Sequence, residues 1–382
     1  MLTLAEDRAK GAAFINSLTR DELFDRYEIT RVGNITGFDC IGVPVYHVTR
    51  PAGLVLSQNS GKGLESETAR VGAIAEGIEY HTFEHPVGEY LIGQVDRIDG
   101  SMLPIAAGSK WTPQTNIPLE SSTKWDTGET VDFPSDLLWM VHRKQTIMHF
   151  QMTTNGQAVG SSFESAFMAG IYECVERDAT TIALERWETG GPAPRRIDPR
   201  NASVAIDALI ARIEDAGLKL YLFDCTSDIP IKVYWAALVD PSGDFFTTAG
   251  WSCNLHPIAA AESAILEAIQ SRCVYIAGAR DDLIDEEYRS HKSRNSKGQQ
   301  LFFESLPVSG KLLSYTMDLD LASELSCILN RLGSWKDNIY YKHIDLGELH
   351  AVKTVILGLE PPRNQLWQPS ARYTSQALVC TV

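Results

Sequence analysis

Apolar residues recur at spacings of three and four across residues 155–185, NGQAVGSSFESAFMAGIYECVERDATTIALE, where Phe163, Phe167, Ile171 and Cys174 share one face. That period predicts a long amphipathic helix fed by a glycine-containing turn. Ser161 and Glu164 have the S-x-x-E spacing of a capping box, which predicts the helix start. A second polar face carries Glu173, Glu176, Arg177 and Thr180. The same plan occurs upstream in SGKGLESETARVGAIAEGIEYHTFE. There a glycine-flanked Lys62 precedes a helix with an inward stripe of Val71, Ala75, Ile78 and Thr82 and with Glu76 and Glu79 on its flank. A third helix, PIAAAESAILEAIQSRCVYIAG, has the core stripe Ile258, Ala261, Ile265, Ala268 and Ile269 and stops at Gly278. Glu267 and Gln270 lie together on its side face, with Arg272 close behind.

Residues 1–27 read as a helical appendage, and 28–382 as one large domain of two interleaved halves. The segment RVGNITGFDCIGVPVYHVTRP reads as strand, turn, strand, and VLSQNSGKG as a strand entering the first acidic helix. Residues 86–130 read as a long irregular region, and LLWMVHRKQTIMHFQM as a pair of strands. The turn-rich WETGGPAPRRIDP marks a break between the halves near 186–200. A helix stopped by Gly217, three strands (LKLYLFDCT, IKVYWAALVD, FFTTAGWSCN) and the third helix follow. Residues 281–300 are charged and read as a loop; beyond them come a helix, LASELSCILNRLG, and the strands NIYYKHID and HAVKTVILGLE. The class is α+β, because no regular βαβ alternation is present.

Composition narrows the functions. A net charge of −15 argues against a nucleic-acid backbone as partner. No apolar run approaches a membrane span, and the N-terminus lacks a signal-peptide layout, so a cytoplasmic protein is expected. The seven cysteines form no C-x-x-C pair, as expected of buried thiols in a reducing compartment. Neither a Walker loop nor G-x-G-x-x-G occurs. The chemistry therefore rests on the two E-x-x-E helices. Four carboxylates around one cavity need about two divalent cations, because uncompensated buried charge is costly.

The ordered segments TRVGNITGFDCIGVPV, SQNSGKG, EGIE, NGQAVG, ECVERDA, EAIQSR, GARDD and VKTVILGLE resemble the YcaO-domain family, and most of all its TfuA-associated branch. The resemblance covers residues 30–372. It implies mixed sheets flanked by helices, with two pseudo-repeated acidic helices forming a non-Walker ATP site. It implies Mg²⁺ ligation by Glu76, Glu79, Glu173 and Glu176, phosphate contact by Arg177, and nucleotide contacts by Lys62, Gln270, Arg272 and Arg280. No catalytic residue is assigned. The implied activity is ATP-dependent phosphorylation of a backbone amide oxygen in a ribosomally synthesised precursor peptide. A thioamide or an azoline results, with delivery by a TfuA-like or leader-binding partner. A homodimer is the default assembly.

The chain also departs from the family pattern. Gly72 and Tyr80 stand where the first motif usually has serine and arginine, and Ser161 and Ser165 where asparagine and glutamate are common upstream of Glu173. Glu164 is one residue off, about 100° around a helix, and does not substitute. The end ALVCTV lacks the proline-rich tail of azoline-forming members, which tilts the expectation toward thioamide formation. Two alternatives follow. One is a non-catalytic scaffold with a degenerate ATP site. The other is a two-metal carboxylate enzyme combining the four glutamates with His81 or His85 of EYHTFEH.

Overall fold

The computed structural model describes residues 2–142, 148–278, 296–315, 317–362 and 372. Its first sheet has the order β1-β2-β3, formed by Arg31–Asn34, Val45–Thr49 and Gln58–Lys62. The second contains β4 (Leu91–Gly93), β5 (Ile117–Lys124), β6 (Thr130–Pro134), β7 (Gln157–Gly160), β13 (Ile339–Asp345) and β14 (His350–Ile356). Its order is β4-β5-β13-β14-β7, with β6 also on β5. The third runs β11-β10-β9-β8-β12, from Thr248–Asn254, Lys232–Val239, Lys219–Asp224, Arg195–Asp198 and Val308–Lys311. All pairings are antiparallel except β12 with β8.

Three helices deliver the acidic residues, and each follows a strand at the edge of its sheet. β3 leads into α3 (Ser66–Glu84), β7 into α4 (Phe163–Glu188) and β11 into α6 (Pro257–Ala277). α3 packs on β2 and β3, α4 on β7 and β14, and α6 on β10 and β11. α6 also touches β3, which ties the third helix to the first sheet. The buried face of α3 is Ala69, Ala73, Ile74, Ile78, Thr82 and Phe83, whereas Val71 and Ala75 of the expected stripe are only half-buried. Each large apolar side chain on such a face stabilises by about 1.5–3 kcal/mol. Small residues on the helix let β3 come close. A Cβ at Gly61 would collide with the backbone of Ala69 and Ala73.

α1 (Leu4–Ser17) and α2 (Arg20–Tyr27) each begin with a threonine–glutamate capping box, Thr3 with Glu6 and Thr19 with Glu22. They pack through Ile15, Leu23 and Tyr27 against Ile74 and Ile78 of α3. Below them, Arg50 and Glu84 form a 2.5 Å ion pair with no side-chain exposure on either partner. Glu84 also accepts from the Val55 amide at 3.0 Å, and Arg50 donates to the Tyr27 carbonyl at 3.2 Å. The end of α3 is thereby locked to the first sheet and to α2.

Some expectations from sequence change here. The cap of α4 is Ser162, paired with Ser165, because the Ser161 hydroxyl instead donates to Asp7 of α1 at 2.7 Å. Residues 86–130 contain β4 and β5, and β6 begins at Thr130. Among the described residues of 137–152, Leu137 ends a 3-10 turn (Ser135–Leu137) and Phe150 makes a single bridge to Ile105, in place of two strands. Part of the expected 281–300 loop is the start of α7 (Ser296–Ser305), and the rest lies outside the described residues. α5 (Val204–Asp215) and α8 (Leu321–Leu332) match their apolar periods. Among the described residues no helix is long and apolar enough to cross a membrane.

Gly61→Ala is expected to lower the unfolding free energy by about 1–3 kcal/mol through overpacking between β3 and α3. Gly310→Ala, at a site with no heavy atom within 4 Å of the added carbon, is expected to change it by less than about 0.5 kcal/mol. Urea denaturation of both variants measures the difference.

Candidate active site

β3, α3, α4 and α6 enclose a cavity of about 600 Å³. Its wall carries Glu76 and Glu79 from α3, Glu173 and Arg177 from α4, and Glu267 and Gln270 from α6. Lys62 enters from the end of β3. Helical spacing explains the sharing: residues three or four apart lie on neighbouring parts of one face.

Each carboxylate is held. Glu76 accepts from the Ser60 amide at 3.2 Å and Glu173 from the Gly156 amide at 3.0 Å. Glu79 is hydrogen-bonded to Gln157. Arg177 lies 3.6 Å from Glu173 and 3.5 Å from Glu176. Lys62 meets Glu267 at 3.3 Å, and Gln270 donates to the Ser60 carbonyl at 2.8 Å. Glu176 does not line the cavity and sits behind Arg177, 9% exposed.

Burial dominates the electrostatics. It pushes Glu79 well above the carboxylate range, with the like charges of Glu173 and Glu76 adding to the shift. Burial also raises Glu173, against the pull of Arg177 and Lys353. Glu176 rises to about 7 through burial, opposed by Arg177 and reinforced by Glu267 and Glu173. Burial disfavours the charge of Arg177, but Glu176, Glu173 and Glu267 outweigh it and hold the guanidinium protonated.

Two contributors were not assigned from sequence. Glu267, which the helical period sets beside Gln270, lies on the cavity wall and meets Lys62. Lys353 of β14 is 2% exposed and donates to the Thr153 carbonyl at 2.7 Å. Burial pushes its ammonium down to about 8, against the favourable fields of Glu173, Cys174 and Glu79. A lone lysine inside the apolar run of β14 was the available signal.

The remaining candidates separate. Arg272 does not line the cavity; its guanidinium donates to Asp39 at 3.1 Å and stacks over Phe245. Arg280 lies outside the described residues. Gly72 and Tyr80 line the cavity, whereas Ser161 and Ser165 do not. His81 and His85 do not line it either, which removes the imidazoles from a metal site shared with the four glutamates.

The donor set fits cations carrying an anionic guest. Five carboxylates (Glu76, Glu79, Glu173, Glu176, Glu267) face three cations (Lys62, Arg177, Lys353). Among the described residues these carboxylates do not bring three ligand atoms within 4.8 Å of one another. The arrangement therefore suits a wide guest bound through more than one ion better than a single bare ion.

Residues 60–360 match the family model described as "YcaO cyclodehydratase, ATP-ad Mg2+-binding". A protein from the tfuA 3′ region of Rhizobium leguminosarum bv. trifolii is 32% identical over 302 residues, covering 74% of this chain and 70% of that protein. The structure of YcaO from Methanopyrus kandleri bound with AMPPCP and Mg²⁺ superposes with a TM-score of 0.70 at 18% identity, over 92% of this chain and 91% of that one. A heterocyclase in complex with substrate and cofactor gives 0.71 at 14% identity, over 90% of this chain and 52% of that one. The α+β fold is that of these structures, and the matched residues span α3, α4 and α6 with the cavity between them. The chain belongs to the YcaO family.

Proposed function

We propose that this protein binds ATP with Mg²⁺ in the acidic cavity and spends the γ-phosphate on a backbone amide of a ribosomally made peptide. The observation that carries the proposal is the excess of carboxylates over cations around a 600 Å³ cavity. Without metal, burial and mutual repulsion favour the protonated forms of Glu79, Glu173 and Glu176; divalent cations would stabilise the carboxylates instead, and those cations suit a polyphosphate. Bound Mg²⁺ would shield the phosphate oxygens and stabilise charge as it shifts toward the leaving ADP.

The chain's own groups then have definite tasks. Glu76, Glu79 and Glu173 would hold the ions, with Glu267 also on the cavity wall and Glu176 behind Arg177. The Ser60 and Gly156 amides fix Glu76 and Glu173 before any ion arrives. Arg177 and Lys62 present positive charge to the phosphates, and Lys353 lowers the repulsion beneath the cluster. Gln270 holds β3 against α6 through the Ser60 carbonyl.

An amide oxygen is a poor leaving group. A nucleophile adds to the amide carbon, and the oxyanion so formed attacks the γ-phosphorus and displaces ADP. Phosphate then leaves with the former amide oxygen. A side-chain hydroxyl or thiol as nucleophile gives an azoline and loses one water overall; a sulfide donor exchanges oxygen for sulfur. The relative in the tfuA 3′ region supports a TfuA-like partner, and the thioamide outcome rests on the resemblance to the TfuA-associated branch. A second reading, a scaffold without turnover, has its own support. Ser161 and Ser165 serve helix α4 and α1 contacts and add no ligand to the cavity.

Incubation with the TfuA-like partner, a precursor peptide, a sulfide source, ATP and Mg²⁺ is expected to change the peptide mass and release ADP. Glu173→Gln is expected to slow ADP release by about 100-fold or more. An unchanged peptide with no ADP, in the presence of the partner, supports the scaffold reading instead.

The raised Glu176 also predicts a pH dependence. Its folded pKa of about 7 exceeds its ordinary 4.5, so the folded state binds the extra proton in that window. Stability of the metal-free protein is therefore expected to fall as pH rises from 4.5 to about 7. Glu176→Gln removes this contribution, and the wild type minus variant difference in melting temperature against pH reads it directly.

A further inference from the structure

Beyond Glu79, His81 in the last turn of α3 and its C-cap His85 belong to a second group of donors outside the acidic cavity. His81 and His85 are four residues apart, which sets both imidazoles on one helix face. Their ring centroids lie 4.4 Å apart. Glu28, the residue that ends α2, reaches the same point. The ligand atoms of Glu28, His81 and His85 all lie within 4.8 Å of one another, the one such group of three among the described residues.

Two features mark it as more than a chance cluster. The Glu28 Oε2 atom is buried and has no hydrogen-bond partner among the described residues. A buried carboxylate oxygen without a donor is costly, and a cation would relieve it. The His85 Nδ1 atom lies 2.7 Å from the His81 carbonyl oxygen. Donation there places the proton on Nδ1 and leaves the Nε2 lone pair for a ligand bond. The nearby Arg50 is paired with Glu84, and its remaining field, after burial and His85, opposes the protonated form of His81, which binds no metal.

We propose that Glu28, His81 and His85 bind a divalent transition-metal ion of the zinc class. Two imidazole nitrogens and one carboxylate suit Zn²⁺ and disfavour Mg²⁺, which prefers an all-oxygen shell. A fourth position stays open to water. The ion would bridge the end of α2 to the last turn of α3, the helix that supplies Glu76 and Glu79. It acts as a clamp between the N-terminal helices and the helix of the acidic cavity. The site is independent of the nucleotide reading, because none of its ligands lines that cavity.

The test uses the full, tag-free chain, stripped with a chelator and kept in excess Mg²⁺. Zn²⁺ is titrated against a chromophoric competitor, and melting temperature is followed in parallel. About one equivalent should bind and raise the melting temperature, because binding favours the folded state. Glu28→Gln, His81→Asn and His85→Asn should each weaken binding about tenfold or more. Glu173→Gln in the acidic cavity and Cys40→Ser at the exposed thiol should leave it unchanged. Co²⁺ in place of Zn²⁺ should give visible bands of low-coordinate cobalt without a thiolate charge-transfer band. Should a histidine variant fail to fold, Glu28→Gln on the half-buried end of α2 carries the test alone. No tight Zn²⁺ in the wild type, or binding that survives Glu28→Gln and His85→Asn but falls with Cys40→Ser, overturns the proposal.

Discussion

Mutual repulsion of carboxylates drawn from three helices is the constraint on which this structure turns. Two unit charges ~5 Å apart repel by ~3 kcal/mol at an effective dielectric constant of ~20. A few such pairs rival the whole stability of a domain, about 5–15 kcal/mol. The chain tolerates them through fixed partial charges, interleaved cations and, without metal, raised proton affinity at Glu79, Glu173 and Glu176. Backbone amides of Ser60 and Gly156 donate to Glu76 and Glu173, Arg177 lies between Glu173 and Glu176, and Lys62 meets Glu267. Lys353 stays buried at the base although burial lowers its affinity for a proton. The remaining excess is negative and suits a guest that presents cations at its surface.

The scaffold keeps those charges from drifting apart. Each acidic helix follows an edge strand, and β3 sits between α3 and α6. Gly61 and Gly250 remove side chains where the sheets press on helix backbones; a Cβ at Gly250 would collide with Ala264 and Ala268 of α6. The buried Arg50–Glu84 pair then anchors the far end of α3. Such a pair is not strong evidence of net stabilisation, but breaking one partner strands the other charge. Its effect here is to fix the orientation of the helix that carries Glu76 and Glu79.

Much of the site was legible in the sequence because helical period fixes which side chains share a face. Glu76 and Glu79, Glu173 and Arg177, and Glu267 and Gln270 each fall three or four residues apart, and the cavity collects all six. The same geometry explains why Arg272 departs. Two residues beyond Gln270 is about 200° around the helix, and there it meets Asp39 and Phe245. What escaped the sequence depends on contacts distant along the chain. Asp7 takes the Ser161 hydroxyl across 154 positions and moves the cap to Ser162. β5 has a polar sequence with a proline, yet it forms because β4, β6 and β13 pair with it. Lys353 reaches the glutamates only because β14 lies beneath α4.

The central claim is that the acidic cavity accepts a nucleotide only through divalent cations. Calorimetric titration of the purified protein with a non-hydrolysable ATP analogue, in Mg²⁺ and again in a chelator, tests it most directly. The account predicts saturable binding with Mg²⁺ and affinity at least about 100-fold weaker without it, since phosphates would then meet bare carboxylates. Equal binding in the chelator, or no binding in Mg²⁺ even with the TfuA-like partner present, would contradict it.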